Sequence, residues 1–418
     1  GVMRPIGGWR LRSSTAANSI LRGMLTWIDN SDTRWIASGT YNKLYVWTAA
    51  GVRYDITPAG LTAGRVDAFS FTGYGGSNFG AYAYGIARPD TVKIDPATSW
   101  DLESWGEYLL ACNEDDGKIY EWQLNTGAVA AVLSNAPTSN RGIAVTEERF
   151  LFALGAGGNP RKVQWSDRED NNLWAAAATN EAGDLELNTS GALMKGMTVR
   201  GQTLLLTTRD AHVANYIGPP YVYGIERVGT SCGLAAKQAA VVVDRGAFWM
   251  GVNSFYAYTG GAVQELPCDV SDYVFNDINK GQVSKVFGMS NSMFGEITWF
   301  YPSAASTENN RYVTYNYTEN TWMIGELART AGIDRGAFRQ PMMADPTDYK
   351  IYEHEIGFDY GPLTPFAETG PFRIGTGDQV MSVTELLPDE KSQGDVNAVF
   401  KTRFYPNGTE RSYGPYSM

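Results

Sequence analysis

The sequence is short of the residues on which most catalytic and metal chemistry depends. It has two histidines, His212 and His354, and three cysteines, Cys112, Cys232 and Cys268, in 418 residues. Two imidazoles give almost no material for a Ser-His-Asp arrangement or a multi-histidine metal centre. Three cysteines so far apart fit neither a disulfide framework nor a CxxC metal site, and are expected to be reduced, structural thiols. No apolar run reaches the ~18 residues of a membrane span, and Gly1 to Arg12 lacks the apolar stretch of a secretion signal. A chain made and folded in a cytoplasm, without membrane insertion, is the expectation. Charged residues make up 19% of the chain, below the ~25% usual for soluble domains. The balance is acidic, 34 Lys and Arg against 45 Asp and Glu, for a net charge of −11. A conventional nucleic-acid binder, which needs a basic face to displace counterions, is excluded.

Aromatic and turn residues are abundant instead: 12 Trp, 24 Tyr, 17 Phe, 46 Gly and 18 Pro. So much aromatic surface drives collapse and excludes disorder. Glycine and proline spread along the whole chain imply many short elements.

One unit recurs, a short aromatic-bearing strand that follows an apolar strand and a polar turn. It reads Leu44-Tyr45-Val46-Trp47, Ile119-Tyr120-Glu121-Trp122, Val163-Gln164-Trp165, Val213-Ala214-Asn215-Tyr216, Phe255-Tyr256-Ala257-Tyr258, Val313-Thr314-Tyr315-Asn316-Tyr317 and Ile351-Tyr352-Glu353-His354. Successive copies stand 75, 43, 51, 42, 57 and 37 residues apart, mostly near the ~40 to 50 residues of a propeller blade. Blades of four short strands bury both faces by packing radially, which favours a propeller over sandwiches with the same alternation. The expectation is an all-β fold, a β-propeller of six to eight blades spanning 21–361. The 75-residue interval holds an insertion, Phe69 to Arg88, readable as an extended loop or an extra blade. Strand-like runs at Gln379 to Leu387 and Asp395 to Tyr405 read as a separate β module over 362–418. The strand segment at 1–20 has no evident blade partner and is its candidate companion.

No motif assembles a catalytic or metal site. Glu353-His354-Glu355 alternates, so a strand would place both carboxylates opposite the imidazole, and solvated strand charges are expected. Asp210-Ala211-His212 could orient an imidazole, but no nucleophile is tied to it. Gly155-Ala156-Gly157-Gly158-Asn159-Pro160-Arg161 lacks the Gly-Lys-Ser/Thr ending of a phosphate loop and reads as a blade turn. Glu114-Asp115-Asp116, Glu147-Glu148, Glu169-Asp170 and Asp389-Glu390 read as turn acidity, although glycosidase chemistry needs only two carboxylates roughly 5 to 10 Å apart. Ser166 to Trp174 approaches an aspartate-box turn with the wrong spacing. No catalytic, cofactor-binding or metal-binding residue is assigned, no cofactor is expected, and the chain is expected not to be an enzyme.

Several motifs, in order, resemble a family of structural proteins encoded by tailed bacteriophages. They are Gly39-Thr40-Tyr41-Asn42-Lys43-Leu44-Tyr45-Val46-Trp47 with Asp55-Ile56-Thr57-Pro58, Gly158 to Asp167, Cys232-Gly233-Leu234, Trp249-Met250-Gly251 with Phe255 to Tyr258, Glu319-Asn320-Thr321-Trp322, Pro388-Asp389 and Tyr413-Gly414-Pro415. The resemblance implies a β-propeller tail protein of the nozzle or hub kind (tail tubular protein B-like) in short-tailed phages. Such a protein is a homo-oligomer, a hexameric ring below the portal and adaptor proteins. It continues the DNA channel, retains packaged DNA until ejection and supports fibres or a tail tip. Its location would be the virion tail, after assembly in the host cytoplasm, with DNA passing through unbound. The alternative is a carbohydrate-binding or depolymerase-type propeller that recognises host-surface glycans. A cellular propeller for protein docking is disfavoured, because regular WD or kelch signatures are missing.

Overall fold

The computed structural model describes residues 6–70, 94–372, 380–387, 395–405 and 407–418. The body of the insertion, residues 71–88, lies outside them, as do Asp389-Glu390 and the Pro388-Asp389 motif. The chain divides into two compact units, Leu11–Glu353 and a second made of Gly1–Arg10 with His354–Met418. The sequence reading drew the propeller at 21–361.

Among the described residues there are seven four-stranded sheets, and they form the blades of an all-β propeller. From axis to rim, blade one is Arg22–Ile28, Arg34–Gly39, Leu44–Thr48 and Arg53–Asp55, and blade two is Trp100–Trp105, Tyr108–Asn113, Ile119–Trp122 and Ala131–Val132. Blade three is Gly142–Val145, Leu151–Leu154, Lys162–Trp165 and Gly183–Glu186, and blade four Leu193–Val199, Gln202–Thr207, Asp210–Gly218 and Val222–Thr230. Blade five is Ala240–Val243, Gly246–Met250, Phe255–Tyr258 and Gln264–Leu266, and blade six Phe287–Asn291, Glu296–Tyr301, Arg311–Asn316 and Thr321–Glu326. Blade seven runs Ala331–Ile333, Met342–Ala344 and Ile351–His354, with Trp9–Leu11 as its outer strand. The start of the chain therefore has a blade partner, contrary to the sequence reading. The amides of Arg12 and Ser13 both donate to the Ile351 carbonyl and fasten the closure. The innermost strands lie each against the next, and that of blade seven against that of blade one, so the ring is closed.

All seven recurring aromatic segments fall on third strands, which explains their composition. A third strand is covered on both faces, and its two-residue period sends alternate side chains to opposite neighbours. In blade one, Leu44 and Val46 pack with Trp100, Leu109 and Trp122 of blade two. Tyr45 and Trp47 instead meet Met342 and Ile351 of blade seven. Blade two repeats this in its second strand, with Leu109 and Ala111 facing blade one and Leu110 and Cys112 facing blade three. Every pair of adjacent blades shares such an apolar cluster.

Tryptophans add directed bonds to this packing. The Trp100 indole of blade two donates to the Thr40 carbonyl beside blade one (2.8 Å), and that of Trp299 in blade six to the Ala239 carbonyl leading into blade five (2.9 Å). Gly39 is required where Trp100 crosses, since a Cβ there would lie 2.3 Å from its ring. The insertion leaves and rejoins the propeller between blades one and two as a short antiparallel pair, Phe69–Ser70 with Ile94–Asp95. Between blades five and six run one helix, Ser271–Asp277, and a 3-10 segment, Lys280–Lys285.

The second unit contains a hairpin, Asn397–Thr402 with Arg411–Ser417. The expected strand at Gln379 to Leu387 does not form in its described part: residues 380–387 are irregular and exposed throughout. A strand needs a partner, and the chain places none beside them. No helix among the described residues is long and apolar enough to cross a membrane.

Candidate functional site

An antiparallel meander brings the start of each inner strand and the turn between second and third strands to the same end of a blade. Charged side chains gather there at the propeller axis. Asp101, the second residue of blade two's inner strand, is fully buried. Its Oδ1 accepts a hydrogen bond from Lys195 Nζ of blade four at 2.8 Å, and its Oδ2 faces Lys237 Nζ at 3.9 Å. Lys237 also donates to the Arg141 carbonyl and lies 3.7 Å from Glu114, whose other oxygen accepts from Arg141 at 2.8 Å. Gln238, at the head of blade five, donates to the Trp100 carbonyl of blade two at 2.7 Å. Blades two and five stand across the axis from one another, so this bond and the Lys195–Asp101 pair cross the central channel and close it. Gly142 fits beside Asp101 because a Cβ would lie 2.1 Å from Oδ2.

A second group adjoins. Arg22, the first residue of blade one, donates both terminal nitrogens to Glu308 in blade six, at 3.2 and 2.6 Å. Buried Lys285 lies 3.5 Å from Glu308 and pairs with Asp67. Arg65 reaches Asp115 and Asp95, each at 3.2 Å. Burial opposes the Glu308 charge, but Arg22 and then Lys285 outweigh it and hold the carboxyl below its usual range. Further along the axis, between the inner strands of blades one, five, six and seven, lies a cavity of about 340 Å³ lined by residues such as Thr26, Val242, Ser290 and Asp334.

Among the described residues, Glu103 is a carboxyl displaced towards neutral pH. It shares a strand face with Asp101 and keeps some exposure, yet protein surrounds it. Burial raises its pKa from 4.5 to about 7, with Lys195 pulling it down and Asp101 pushing it up. For Lys195, burial is outweighed by Asp101 and Glu103, and its pKa is raised. A carboxyl so displaced inside an enclosed charged site marks a candidate functional group that exchanges a proton at physiological pH. Between pH 4.5 and 7 the folded protein holds the Glu103 proton that the unfolded chain has lost. Stability therefore falls as pH rises through this window and levels off above it, by at most about 3 kcal/mol. Between pH 4.5 and 7 the stability of the wild type should fall relative to that of Glu103→Gln in thermal melts; equal slopes would contradict the assignment.

Little in the sequence signals this site. Its partners are far apart, Lys195 and Asp101 by 94 residues and Arg22 and Glu308 by 286. The one local signal is charge within apolar strands, as in Trp100-Asp101-Leu102-Glu103 and Leu193-Met194-Lys195. The Glu114-Asp115-Asp116 turn, read as turn acidity, is drawn in: Asp115 accepts from Thr98 Oγ1 at 2.6 Å, and Asp116 from the Tyr120 hydroxyl.

The other motifs do not converge. Glu353 and His354 are buried, not solvated; Glu353 pairs with Arg12 at 3.2 Å and the His354 ring packs on Trp9. Asp210 and His212 share a strand face with Nε2 and Oδ1 3.3 Å apart, and Thr189 and Thr207 also bond Asp210. Burial lowers the His212 pKa despite that carboxylate. In the Gly155 loop, the amides of Gly155, Gly157 and Gly158 are spent on backbone carbonyls, leaving no anion cradle. Burial pushes the Cys112 thiol up to about 12, and Cys232 and Cys268 to about 11, so all three are poor nucleophiles. Among the described residues, no group of three or more His, Cys, Asp or Glu is placed to hold a metal ion.

No protein-family model matches the chain, and no curated protein matches it. Solved structures do. Virginiamycin B lyase from Staphylococcus aureus is similar over 83% of this chain and 99% of its own, at 9% identity and a TM-score of 0.49. A streptogramin B lyase is similar over 84% and 97%, at 10% identity and 0.48. The Myceliophteria thermophila Cps50 (Swd1) β-propeller domain is similar over 83% and 99%, at 7% identity and 0.49. The expectation that the chain is not an enzyme is corrected here and withdrawn, because the similar structures include lyases. Likeness at this level bears on fold alone. No activity, substrate or residue role passes to this chain, and the propeller assignment rests on the closed ring of seven sheets.

Proposed function

We propose that the chain is a virion structural protein, the nozzle or hub of a short-tailed phage, acting as a homo-oligomeric ring, a hexamer, that extends the DNA channel. The observation that carries this reading is the ordered series of motifs along the chain. Three of them run through the turn before the third strand into that strand in blades one, three and five, and Glu319-Asn320-Thr321-Trp322 opens the fourth strand of blade six, so what is alike is a blade scaffold. The scaffold suits a part under mechanical load, since buried ion pairs tie non-adjacent blades across the axis. DNA would pass through the hole of the subunit ring, because the propeller's own axis is crossed by Gln238 and Lys195. A net charge of −11 per subunit repels phosphate and lets duplex slide without being held. Portal and adaptor proteins above, and fibres or a tail tip below, are the partners this reading implies, and the virion tail is the place. No observation favours the carbohydrate reading: the repeated aromatics Trp47, Tyr120, Trp122, Trp165 and Tyr258 are buried between strands, where no sugar can stack on them. Electron microscopy of the purified chain tests the proposal by the presence or absence of a ring.

A further inference from the structure

We propose that residues 380–387 form a strand donated to a second copy of this chain, pairing with the rim strand Thr321–Glu326 of that copy's blade six. The inference rests on the ring reading above and assigns its lateral contact.

The donor, Val380-Met381-Ser382-Val383-Thr384-Glu385-Leu386-Leu387, has the β-branched and apolar content of a strand. None of its eight residues makes a hydrogen bond or an ion pair, and all eight are exposed. Val380 is 82% exposed and Leu387 80%. Water-facing apolar side chains on an unpaired, strand-forming backbone are what strand addition uses, main-chain bonds giving affinity and side chains selectivity.

The acceptor is argued from the rims. Most outer strands are blunted against pairing. Those of blades one, two and five have two or three residues, that of blade three carries Asp184 and Glu186, and that of blade four carries Glu226 and Arg227 at its centre. Blade six differs: its six-residue rim strand exposes Met323 and Ile324 on opposite faces, with charge only at Glu326. Its outward backbone groups have no backbone partner among the described residues.

Donor and acceptor on one chain make a head-to-tail contact, which closes a ring when the rotation allows. Reach is sufficient. The 19 residues between Tyr360, whose hydroxyl bonds the Ile6 carbonyl, and Val380 can extend up to about 65 Å, against a radius of gyration of about 20 Å for a propeller of this size.

Mass photometry of the full chain, of Val383→Asp/Leu387→Asp and of Ile324→Asp tests the contact. All three substituted side chains are exposed, so the circular dichroism spectrum and a cooperative melt should be kept and show that the variants fold. The expected result is rings from the wild type and folded monomers from both variants, with association weakened at least about 100-fold. Mixing Ser382→Cys chains with Met323→Cys chains should give a disulfide-linked dimer that neither gives alone. Rings that persist in both variants would overturn this contact and leave the ring reading standing. A wild type that stays monomeric at high concentration would overturn both.

Discussion

Replacing Asp101 with asparagine is expected to lower the stability of the propeller by about 3 to 5 kcal/mol, the largest effect of any single charge change. Asp101 is fully buried and faces two lysines, one at 2.8 Å and one at 3.9 Å. Asparagine keeps the shape but removes the charge nearest to both lysines, leaving Lys195 to Glu103 and Lys237 to Glu114 at 3.7 Å, and an under-compensated buried cation costs far more than a surface pair returns. For a propeller unit of this length, the loss corresponds to a fall in Tm of about 4 to 7 °C. Lys195→Met alone should cost less, since Lys237 still faces Asp101. The double variant Asp101→Asn/Lys195→Met should recover part of the loss by removing one stranded cation. Thermal and urea melts of the three variants check the order. Asp101→Asn melting with the wild type would show that the axial cluster does not hold the blades together.

Trp299→Ala should cost a similar amount, about 3 to 5 kcal/mol, through a different mechanism. Trp299 is fully buried in the largest apolar cluster, which joins blades four, five and six. Its ring centroid lies 4.9 Å from that of Phe255, and its indole holds the Ala239 carbonyl. Alanine removes packing on both sides of the blade boundary and takes away one of the two donors to the Ala239 carbonyl, the Met250 amide at 3.1 Å remaining. Trp299→Phe keeps most of the packing and gives up the hydrogen bond, so its cost should be near 1 to 2 kcal/mol. A graded series in Tm, wild type above phenylalanine above alanine, is the expected outcome. Equal losses in the two variants would assign the whole effect to the indole bond, and no loss would deny that this tryptophan pins blade six to blade five.

The contrast between these residues shows what the sequence made legible. Trp299 lies in a strand covered on both faces, where a continuous apolar and aromatic run is the only composition that packs. That constraint repeats in every blade, so the aromatic segments from Leu44 to His354 could be found by their spacing. Asp101 obeys no local rule. Its charge is tolerated because Lys195 and Lys237 are brought to it by the closure of the ring, and nothing in a one-dimensional pattern records partners on other blades. The same gap explains Glu353, read as solvated and found buried beside Arg12. It also explains Val380 to Leu387, where composition asks for a strand and the chain supplies no neighbour to pair with. Trp9–Leu11 is the converse case: a strand is expected within 1–20, but its partner is not legible in the sequence, and it is held as the rim of blade seven by a sheet that lacks a fourth strand.

Closure of the propeller axis by Lys195, Asp101, Gln238 and Trp100 bears directly on the proposed role. A passage for duplex DNA has to come from several subunits around a common hole, which makes assembly the central claim. Single-particle electron microscopy of the purified full chain tests it most directly. The account predicts closed rings with sixfold symmetry around a hole wide enough for duplex DNA. Monomers at every concentration, or assemblies without an open centre, would contradict it.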